Sequence, residues 1–412
     1  MDQFDVVVVG GGIAGSAISA VVAPAGVRVL VLERQVQFRD RVRGEYMHPW
    51  GLAEVQRMGL DPALMAVGGS VTAAFVGYDE TYSADEALAN PTPLAMMVPG
   101  VPGGLCVGHP AASEALNSLA AERGATVVRG VGDVEIVAGP SPSVRYEFDG
   151  IWYDVPCRLI VGADGRQSTV RRALDIELAQ VESKAVLGGM LVRAHRWAEV
   201  GHDGVSMSAT EGDRHVLAFP RTDGLVRLYL ACDPGPRVAG ADRGQRMLDG
   251  FQLQCVPDSH ILATAEPVGP CSYFVGTDAW TAQPYVEGAV LVGDAAGWND
   301  PIMGEGLSVA MRDARTVAEV LLESDDWSVD AFEAYGTERG ERMWRLKTMA
   351  HVLTEMRCTF TDAGRRRREA FRHSLASDPM TLGLMVGAFA GPEVGQADAF
   401  APDNVERVLT LA

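Results

Sequence analysis

Three glycines close to the N-terminus constrain the fold of this chain more than any other feature. Gly10, Gly12 and Gly15 follow a run of four valines and open a segment of helix length, after which a second apolar segment ends in Glu33. The first glycine allows a tight turn, the second lets the backbone approach a pyrophosphate, and the third lets the helix pack closely against the strand. An acid about twenty residues later binds a ribose. The order of strand, glycines, helix, strand and acid therefore predicts a Rossmann-like unit that binds a dinucleotide.

A second stretch, residues 289–308, joins an apolar strand to a long helix through a polar loop. Asp294 ends the strand, Pro301 and two glycines form the loop, and apolar residues recur at the spacing of one helix face over residues 307–322. An acid at a strand end and the free N–H groups of a helix start suit a polyol and a polar ring that becomes anionic on reduction. The residues predicted to contact this ligand are Gly293, Asp294, Pro301, Gly304, Gly306 and Leu307.

Three further residues are candidates for the same site. Asp164 ends another apolar run just before a glycine, although an ordinary loop between strand and helix is the alternative. Arg43 is a candidate ligand for the cofactor phosphates, with a surface arginine as an equal alternative. His48 is a candidate pocket residue, with a packed or solvated histidine as the alternative.

The pattern changes at about residue 174, where short alternating segments with frequent turns begin. Residues 215–219 and 225–231 predict a β-hairpin. His215 shares one face of the first strand with Leu217 and Phe219, and Tyr229 shares one face of the second strand with Arg227. This region predicts a second, mostly antiparallel domain that carries the substrate. From residue 327 onward the pattern is mainly helical.

Composition excludes several classes of partner. The net charge of −19 disfavours nucleic acid and anionic membrane surfaces, and no apolar run is long enough to span a membrane. The four arginines at 365–368 are interpreted as a solvated helix face in preference to a phosphate-binding patch. The six cysteines lack close pairing, which favours reduced thiols in a cytoplasmic protein, and the histidine spacing predicts no metal site.

The three motifs together resemble a known family. The glycines with Glu33, then Gly162-Ala163-Asp164-Gly165, then Gly293-Asp294 with Pro301 and Gly304-Glu305-Gly306 are similar to those of the FAD-dependent para-hydroxybenzoate-hydroxylase-like superfamily, especially the single-component (group A) flavin monooxygenases. The resemblance implies an α/β fold, with a Rossmann-like FAD-binding domain (GR2-type), a mainly antiparallel β-sheet substrate domain and C-terminal helices. The implied FAD-binding domain is discontinuous (1–70, 101–175 and 281–325), the substrate domain takes 71–100 and 176–280, and the helical region takes 326–412.

The resemblance also implies roles for particular residues. FAD would be bound at its pyrophosphate by the first glycine loop, at its adenosine half by the acid and arginine that follow, and at its ribityl chain or pyrophosphate by Asp294. The loop from Pro301 to Leu307 would run beside the isoalloxazine. In the family, the region of Asp164 is associated with both FAD and an external donor, NADH or NADPH. The remaining implied FAD contacts are Gly10, Gly12, Ile13, Ala14, Gly15, Glu33, Arg34, Arg43 and His109.

The implied reaction inserts one oxygen atom from O2 into a hydrophobic, aromatic or polycyclic small molecule by way of a flavin C4a-hydroperoxide, as in natural-product tailoring, in a monomer or homodimer. His48, His215 and Tyr229 are candidate catalytic residues for a phenolic substrate.

Glu305 stands where many hydroxylases have glutamine, and this loop also resembles the geranylgeranyl-reductase-like branch, so alkene reduction is the alternative. A flavin halogenase is less favoured because the only lysines are Lys184 and Lys347. A non-catalytic flavoprotein is the remaining alternative.

Overall fold

The computed structural model describes residues 4–235 and 238–411, so the other positions of the predicted ranges 1–70, 176–280 and 326–412 lie outside the described residues. Its strands are β1 Val6–Val9, β2 Val29–Glu33, β3 Tyr46–Met47, β4 Ser70–Thr72, β5 Ala74–Asp79, β6 Gly104–Cys106, β7 Thr126–Arg129, β8 Val134–Val137, β9 Ser143–Phe148, β10 Ile151–Pro156, β11 Leu159–Gly162, β12 Ala179–Arg193, β13 Val205–Glu211, β14 Arg214–Pro220, β15 Leu225–Cys232, β16 Glu266–Pro267, β17 Ser272–Trp280, β18 Tyr285–Val286, β19 Ala289–Leu291 and β20 Gly297–Trp298. Its helices are α1 Ile13–Val22, α2 Pro49–Arg57, α3 Asp61–Ala66, α4 Ala84–Ala89, α5 His109–Glu122, α6 Thr169–Ala173, α7 His195–Trp197, α8 Arg243–Asp249, α9 His260–Ala263, α10 Gly306–Glu323, α11 Glu333–Arg357, α12 Asp362–Ser377, α13 Pro379–Met385, α14 Gly387–Ala390 and α15 Pro402–Leu409.

A six-stranded sheet in the order β18-β19-β11-β1-β2-β7 forms the first layer, and only the β18–β19 pair is antiparallel. Alternate valines of β1 face opposite sides, as the two-residue period of a strand requires. Val6 and Val8 pack with apolar residues of α1, α5 and α10, whereas Val7 and Val9 pack with the three-stranded sheet β10-β9-β8. The predicted Rossmann-like α/β layers are confirmed.

The ligand-binding segments predicted from three separate stretches converge on one edge of this sheet. Strands β19, β11, β1 and β2 are parallel neighbours, so their carboxyl ends lie side by side. Asp294 follows β19, Asp164 follows β11, Gly10 follows β1, and Glu33 ends β2. In doubly wound sheets, ligands bind in the crevice outside this edge.

The second layer is an eight-stranded sheet with the path β20-β17-β12-β15-β14-β13-β5, to which β16 adds at β12. Its pairs are antiparallel except β13 with β5, which confirms the predicted antiparallel character and the β14–β15 hairpin. The short helix α4 follows β5 and is capped by Ser83, whose side chain accepts a hydrogen bond from the N–H of Glu86. The division into functional domains stays a prediction.

Helices α11 to α15 confirm the predicted C-terminal helical region, but the prediction of a solvated face at residues 365–368 is wrong for Arg368. Its side chain is buried and pairs with Asp79 at 2.9 Å and with Glu80 at 2.7 Å. The pairs tie α12 to the end of β5. The local sequence at residues 365–368 does not indicate these carboxylates, because they lie 289 and 288 positions earlier in the chain.

Candidate active site

The first glycine loop has one crowded side and one open side. A Cβ atom on Gly15 would lie 2.0 Å from the carbonyl oxygen of Gly10, because helix α1 packs directly on the loop. A Cβ atom on Gly12 would meet nothing within 4 Å. Glu33 accepts hydrogen bonds from the N–H of Gly11 at 2.8 Å and from that of Gln35 at 2.7 Å. The predicted residues Ile13 and Ala14 form the first turn of α1, and Arg34 is exposed just beyond β2.

Asp294 lies between two arginines at the carboxyl edge of the sheet. Its Oδ2 accepts a hydrogen bond from Nε of Arg166 at 3.2 Å and lies 4.0 Å from Nη1 of Arg43. Tyr229 donates from its hydroxyl to the carbonyl of Arg43 at 2.9 Å, which holds the arginine-bearing loop. His109 begins α5, and its backbone N–H donates to Glu45 at 3.3 Å. The predicted contacts of Arg43, His109 and Asp294 with FAD stay predictions.

The carboxylate of Asp164 is turned toward its own helix. It accepts hydrogen bonds from the Ser168 hydroxyl, from the N–H of Thr169 at 2.6 Å and from that of Val170 at 3.3 Å. These contacts cap the start of α6. The predicted contact of Asp164 with FAD or a nicotinamide donor stays a prediction.

A buried ion cluster that the sequence reading missed supports the loop after β19. Asp313 of α10 accepts a hydrogen bond from the N–H of Gly293 at 2.8 Å and pairs with Arg339 at 3.0 Å and Arg342 at 2.7 Å. Arg339 also donates to three carbonyl groups of residues 293–297. All three charged side chains are buried, and the two arginines hold the pKa of Asp313 below its usual value despite the desolvation that opposes it. Helix α11 therefore fixes the backbone that carries Asp294.

A cavity of about 290 Å³ lies between the loop at residues 301–306, one face of the eight-stranded sheet, and the C-terminal helices. Its lining is mainly aromatic and aliphatic, with Phe75, Phe219, Phe274, Phe371 and Phe389 among its walls. The predicted site residues that line it are His48, His215, Tyr229, Asp294, Pro301, Gly304 and Gly306. Leu307, by contrast, is buried in the core beside the first sheet.

Burial shifts the pKa values of two groups beside this loop toward their neutral forms. Burial lowers the pKa of His48 to about 4 and raises that of Glu305 well above its usual value. Nε2 of His48 lies 2.8 Å from the carbonyl oxygen of Met303. Because a carbonyl only accepts, this nitrogen carries the proton, and Nδ1, buried without a partner among the described residues, is a free acceptor. Trp50 donates to Oε2 of Glu305 at 3.1 Å.

Each of the other two candidate catalytic side chains has a polar atom engaged with the protein. Nδ1 of His215 lies 2.8 Å from the Thr210 hydroxyl, and burial keeps the pKa of this histidine well below its usual value. The Tyr229 hydroxyl donates to the loop carbonyl already described, and burial raises its pKa. Of the three predicted residues, as far as the structure describes the chain, only His48 has a side-chain polar atom that is buried and unpartnered.

Replacing Glu305 with glutamine tests the neutral state of this acid. The folded protein keeps the proton that an unfolded glutamate releases above its ordinary pKa, so the wild-type protein loses stability as the pH rises through that window. Glu305→Gln removes this loss, and the stability difference in favour of the variant should grow by up to about 1.4 kcal/mol per pH unit. Urea unfolding of both FAD-loaded proteins at pH 5.5, 6.5 and 7.5 measures it. A difference that does not change with pH would mean that Glu305 is ionised in the folded chain.

The FAD binding domain family matches residues 3–350, which are 348 of the 412 residues. The chain belongs to this family. It is an FAD-dependent oxidoreductase of the para-hydroxybenzoate-hydroxylase-like superfamily, as the three motifs predicted. The site fits FAD, because the open side of Gly12 leaves room for a pyrophosphate beside the start of α1 and the edge of the sheet presents Glu33 and Asp294.

Relatives of this FAD enzyme include both monooxygenases and reductases. Rifampicin monooxygenase of Streptomyces venezuelae is 26% identical over 351 residues, which cover 82% of this chain and 68% of that protein. Digeranylgeranylglycerophospholipid reductase 2 of Methanopyrus kandleri is 27% identical over 353 residues, which cover 81% of each chain. The crystal structure of p-nitrophenol 4-monooxygenase PnpA from Pseudomonas putida DLL-E4 superposes with a TM-score of 0.76 at 17% identity, over 99% of this chain and 97% of that one, which shows a shared fold.

Within the part of the chain that the structure describes, every helix is too short or too polar to cross a bilayer. Residues 4–235 and 238–411 also contain no group of three or more histidine, cysteine, aspartate or glutamate side chains placed to hold a metal ion.

Proposed function

We propose that this FAD enzyme is a monooxygenase that uses NADH or NADPH and O2 to insert one oxygen atom into a hydrophobic aromatic or polycyclic small molecule. The observation that carries the proposal is the apolar cavity, whose wall includes the loop at residues 301–306 and whose other walls are mostly aromatic and aliphatic. Such walls favour a large apolar ligand held by a few polar groups. A tailoring step on a natural product would fit a substrate of this kind.

Bound FAD would supply the redox and oxygen chemistry, while the chain binds the substrate and excludes water. The polar groups nearest the loop support this division, because His48 and Glu305 are buried and neutral and so attract little water into the cavity. The free Nδ1 of His48 would accept a hydrogen bond from a phenolic hydroxyl and orient the ring. The sequence has one glycine fingerprint, and FAD would occupy it. This supports a nicotinamide donor that binds from outside, without a second Rossmann unit.

One observation favours alkene reduction as a second candidate. A reductase of this fold must add a hydride and a proton to a double bond, and Glu305 is a buried carboxylic acid in the loop at residues 301–306. A halogenase receives no such support, since neither lysine lines the cavity. Lys184 bonds Glu355 at 2.8 Å, and Nζ of Lys347 lies 3.9 Å from the centre of the Trp280 ring.

Isotope labelling distinguishes the two functions. The FAD-loaded protein is incubated with NADH or NADPH, a panel of naphthols, hydroxyanthracenes and polyprenyl alkenes, and ¹⁸O2. We expect a product 18 mass units heavier than a phenolic substrate, as one labelled oxygen atom replaces a C–H bond with C–OH, and no product without O2. A product two mass units heavier that forms without O2, and that disappears in Glu305→Gln, would establish the reductase instead.

A further inference from the structure

Arg357 is a charged side chain that has no partner in the part of the chain that the structure describes. It ends helix α11 and is half-buried, and among the described residues it makes neither an ion pair nor a hydrogen bond. Four of the five arginines of the adjoining helix α12 pair with a carboxylate: Arg365 with Glu80, Arg367 with Glu355, Arg368 with Asp79 and Glu80, and Arg372 with Glu86. The fifth, Arg366, is exposed to solvent. Arg357 differs from all five, because it is half-buried and no acid of the described residues pairs with it.

The unpaired arginine lines the cavity at the end away from the loop at residues 301–306. Arg357, Phe371 and Leu375 line both the main cavity and a smaller one of about 50 Å³, and no residue of that loop lines the smaller one. The ring of Phe389 lies on the wall of the main cavity, with its centre 5.3 Å from that of His48 and 5.9 Å from that of Phe75. An elongated molecule that fills the main cavity would meet both His48 beside the loop and Arg357, because both side chains line it.

A half-buried guanidinium against aromatic walls is poorly solvated, so a ligand with a matching anion gains more from it than from an exposed arginine. Carboxylates match the guanidinium best, because two parallel N–H donors meet two oxygens. The nearby polar side chains cannot take this role. His215 is neutral, in part because Arg357 and Arg368 lie near it, and Arg368 already has its own acids.

We propose that the substrate of this enzyme carries a carboxylate that Arg357 binds, so that its apolar body extends toward the loop at residues 301–306. The proposal rests on the proposed function, in that it takes the cavity as the substrate site. It adds a chemical class, an aromatic or polycyclic monocarboxylate, and a residue that sets the orientation of the substrate. Neutral hydrocarbons of the same size would bind more weakly and without a fixed orientation.

Two ligands of similar size and shape, one charged and one neutral, test the proposal by binding alone, without a catalytic reaction. The dissociation constants of 2-naphthoate and of its neutral amide, 2-naphthamide, are measured with the FAD-loaded protein from the change in the flavin absorption spectrum. We expect the wild-type protein to bind the carboxylate about tenfold more tightly than the amide, as for a charge-assisted pair. Arg357→Gln should bind the two ligands equally, and Arg357→Lys should keep part of the preference. Arg365→Gln removes a positive charge from an exposed, paired position of α12 and should keep all of it.

Equal binding of the two ligands by the wild-type protein, no binding of 2-naphthoate at millimolar concentration, or a preference that persists in Arg357→Gln would each overturn the proposal. If the glutamine variant does not fold, Arg357→Lys decides, because an undiminished carboxylate preference in that variant would equally overturn the proposal. Because the measurement uses no O2 and no nicotinamide, its failure leaves the oxygen-labelling experiment unaffected. Conversely, an enzyme that reduces alkenes can still show the carboxylate preference, so the two proposals fail separately.

Discussion

Gly12→Ala is expected to fold like the wild-type protein and to bind FAD on the order of 100-fold more weakly. The added methyl group would meet no atom of the chain within 4 Å, and the backbone angles at this position (φ −75°, ψ −157°) suit alanine. The methyl group would instead occupy the open side of the loop, where the family binds the pyrophosphate. Titration of the apoprotein with FAD gives the affinity, and thermal unfolding of the apoprotein gives the stability.

Two other glycines provide the controls. Gly15→Ala should lose stability as well as FAD, because its Cβ atom would lie 2.0 Å from the carbonyl oxygen of Gly10. Gly340 is exposed within α11 and has no neighbour at its Cβ position, so Gly340→Ala should keep FAD affinity and gain about 1 kcal/mol of stability. FAD binding by Gly12→Ala at wild-type affinity would show that the pyrophosphate does not lie against this loop.

Asp313→Asn should lower the free energy of unfolding by about 3–5 kcal/mol, the usual effect of removing one partner from a buried ion pair. The substitution leaves the buried guanidinium group of Arg339 without a carboxylate and that of Arg342 with Glu338 alone, and it weakens the bond to the N–H of Gly293. FAD affinity should fall too, because the loop that carries Asp294 loses its support. Denaturant unfolding of the apoprotein separates the effect on stability from the effect on FAD binding.

Glu319→Gln is the matched control on the same helix. Glu319 is exposed and pairs with Arg315 one turn away, so its loss should change stability by no more than about 0.5 kcal/mol. Acid should act in the same direction as Asp313→Asn. The pKa of Asp313 is held below that of an unfolded aspartate, so its contribution is complete above the ordinary pKa and is lost as the pH falls through the lowered one. Similar effects of the two substitutions would show that the cluster does not stabilise the fold.

The elements that the sequence predicts correctly depend on local patterns. The glycine fingerprint with Glu33, the helical period after Gly306 and the β14–β15 hairpin each follow from residues within about thirty positions of one another. Parallel pairing then brings Asp294, Asp164 and the first glycine loop to one edge, so the cofactor region follows from the resemblance and from general rules of topology.

The parts that the sequence does not predict are set by contacts between distant segments. Asp313 meets Arg339 across 26 positions and a change of helix, and Arg368 meets Asp79 across 289. Nothing in the local pattern distinguishes these arginines from exposed ones. The raised pKa of Glu305 has the same origin, because it results from burial against distant segments, among them the one that carries Trp50, 255 positions away. For the same reason the motifs do not predict Arg357 as a cavity residue.

Helix α11 has consequences for how enzymes of this kind could be re-engineered or diversify. Arg339 near its start holds the loop at residues 293–297. Arg357 at its end lies about 27 Å further along the axis, in the wall of the cavity. The family match ends at residue 350, between the two. A chimera joined near that point, within one continuous helix, would take the residues predicted to bind FAD and most of the cavity wall from one parent. It would take the C-terminal wall of the cavity, with the residue at position 357, from the other.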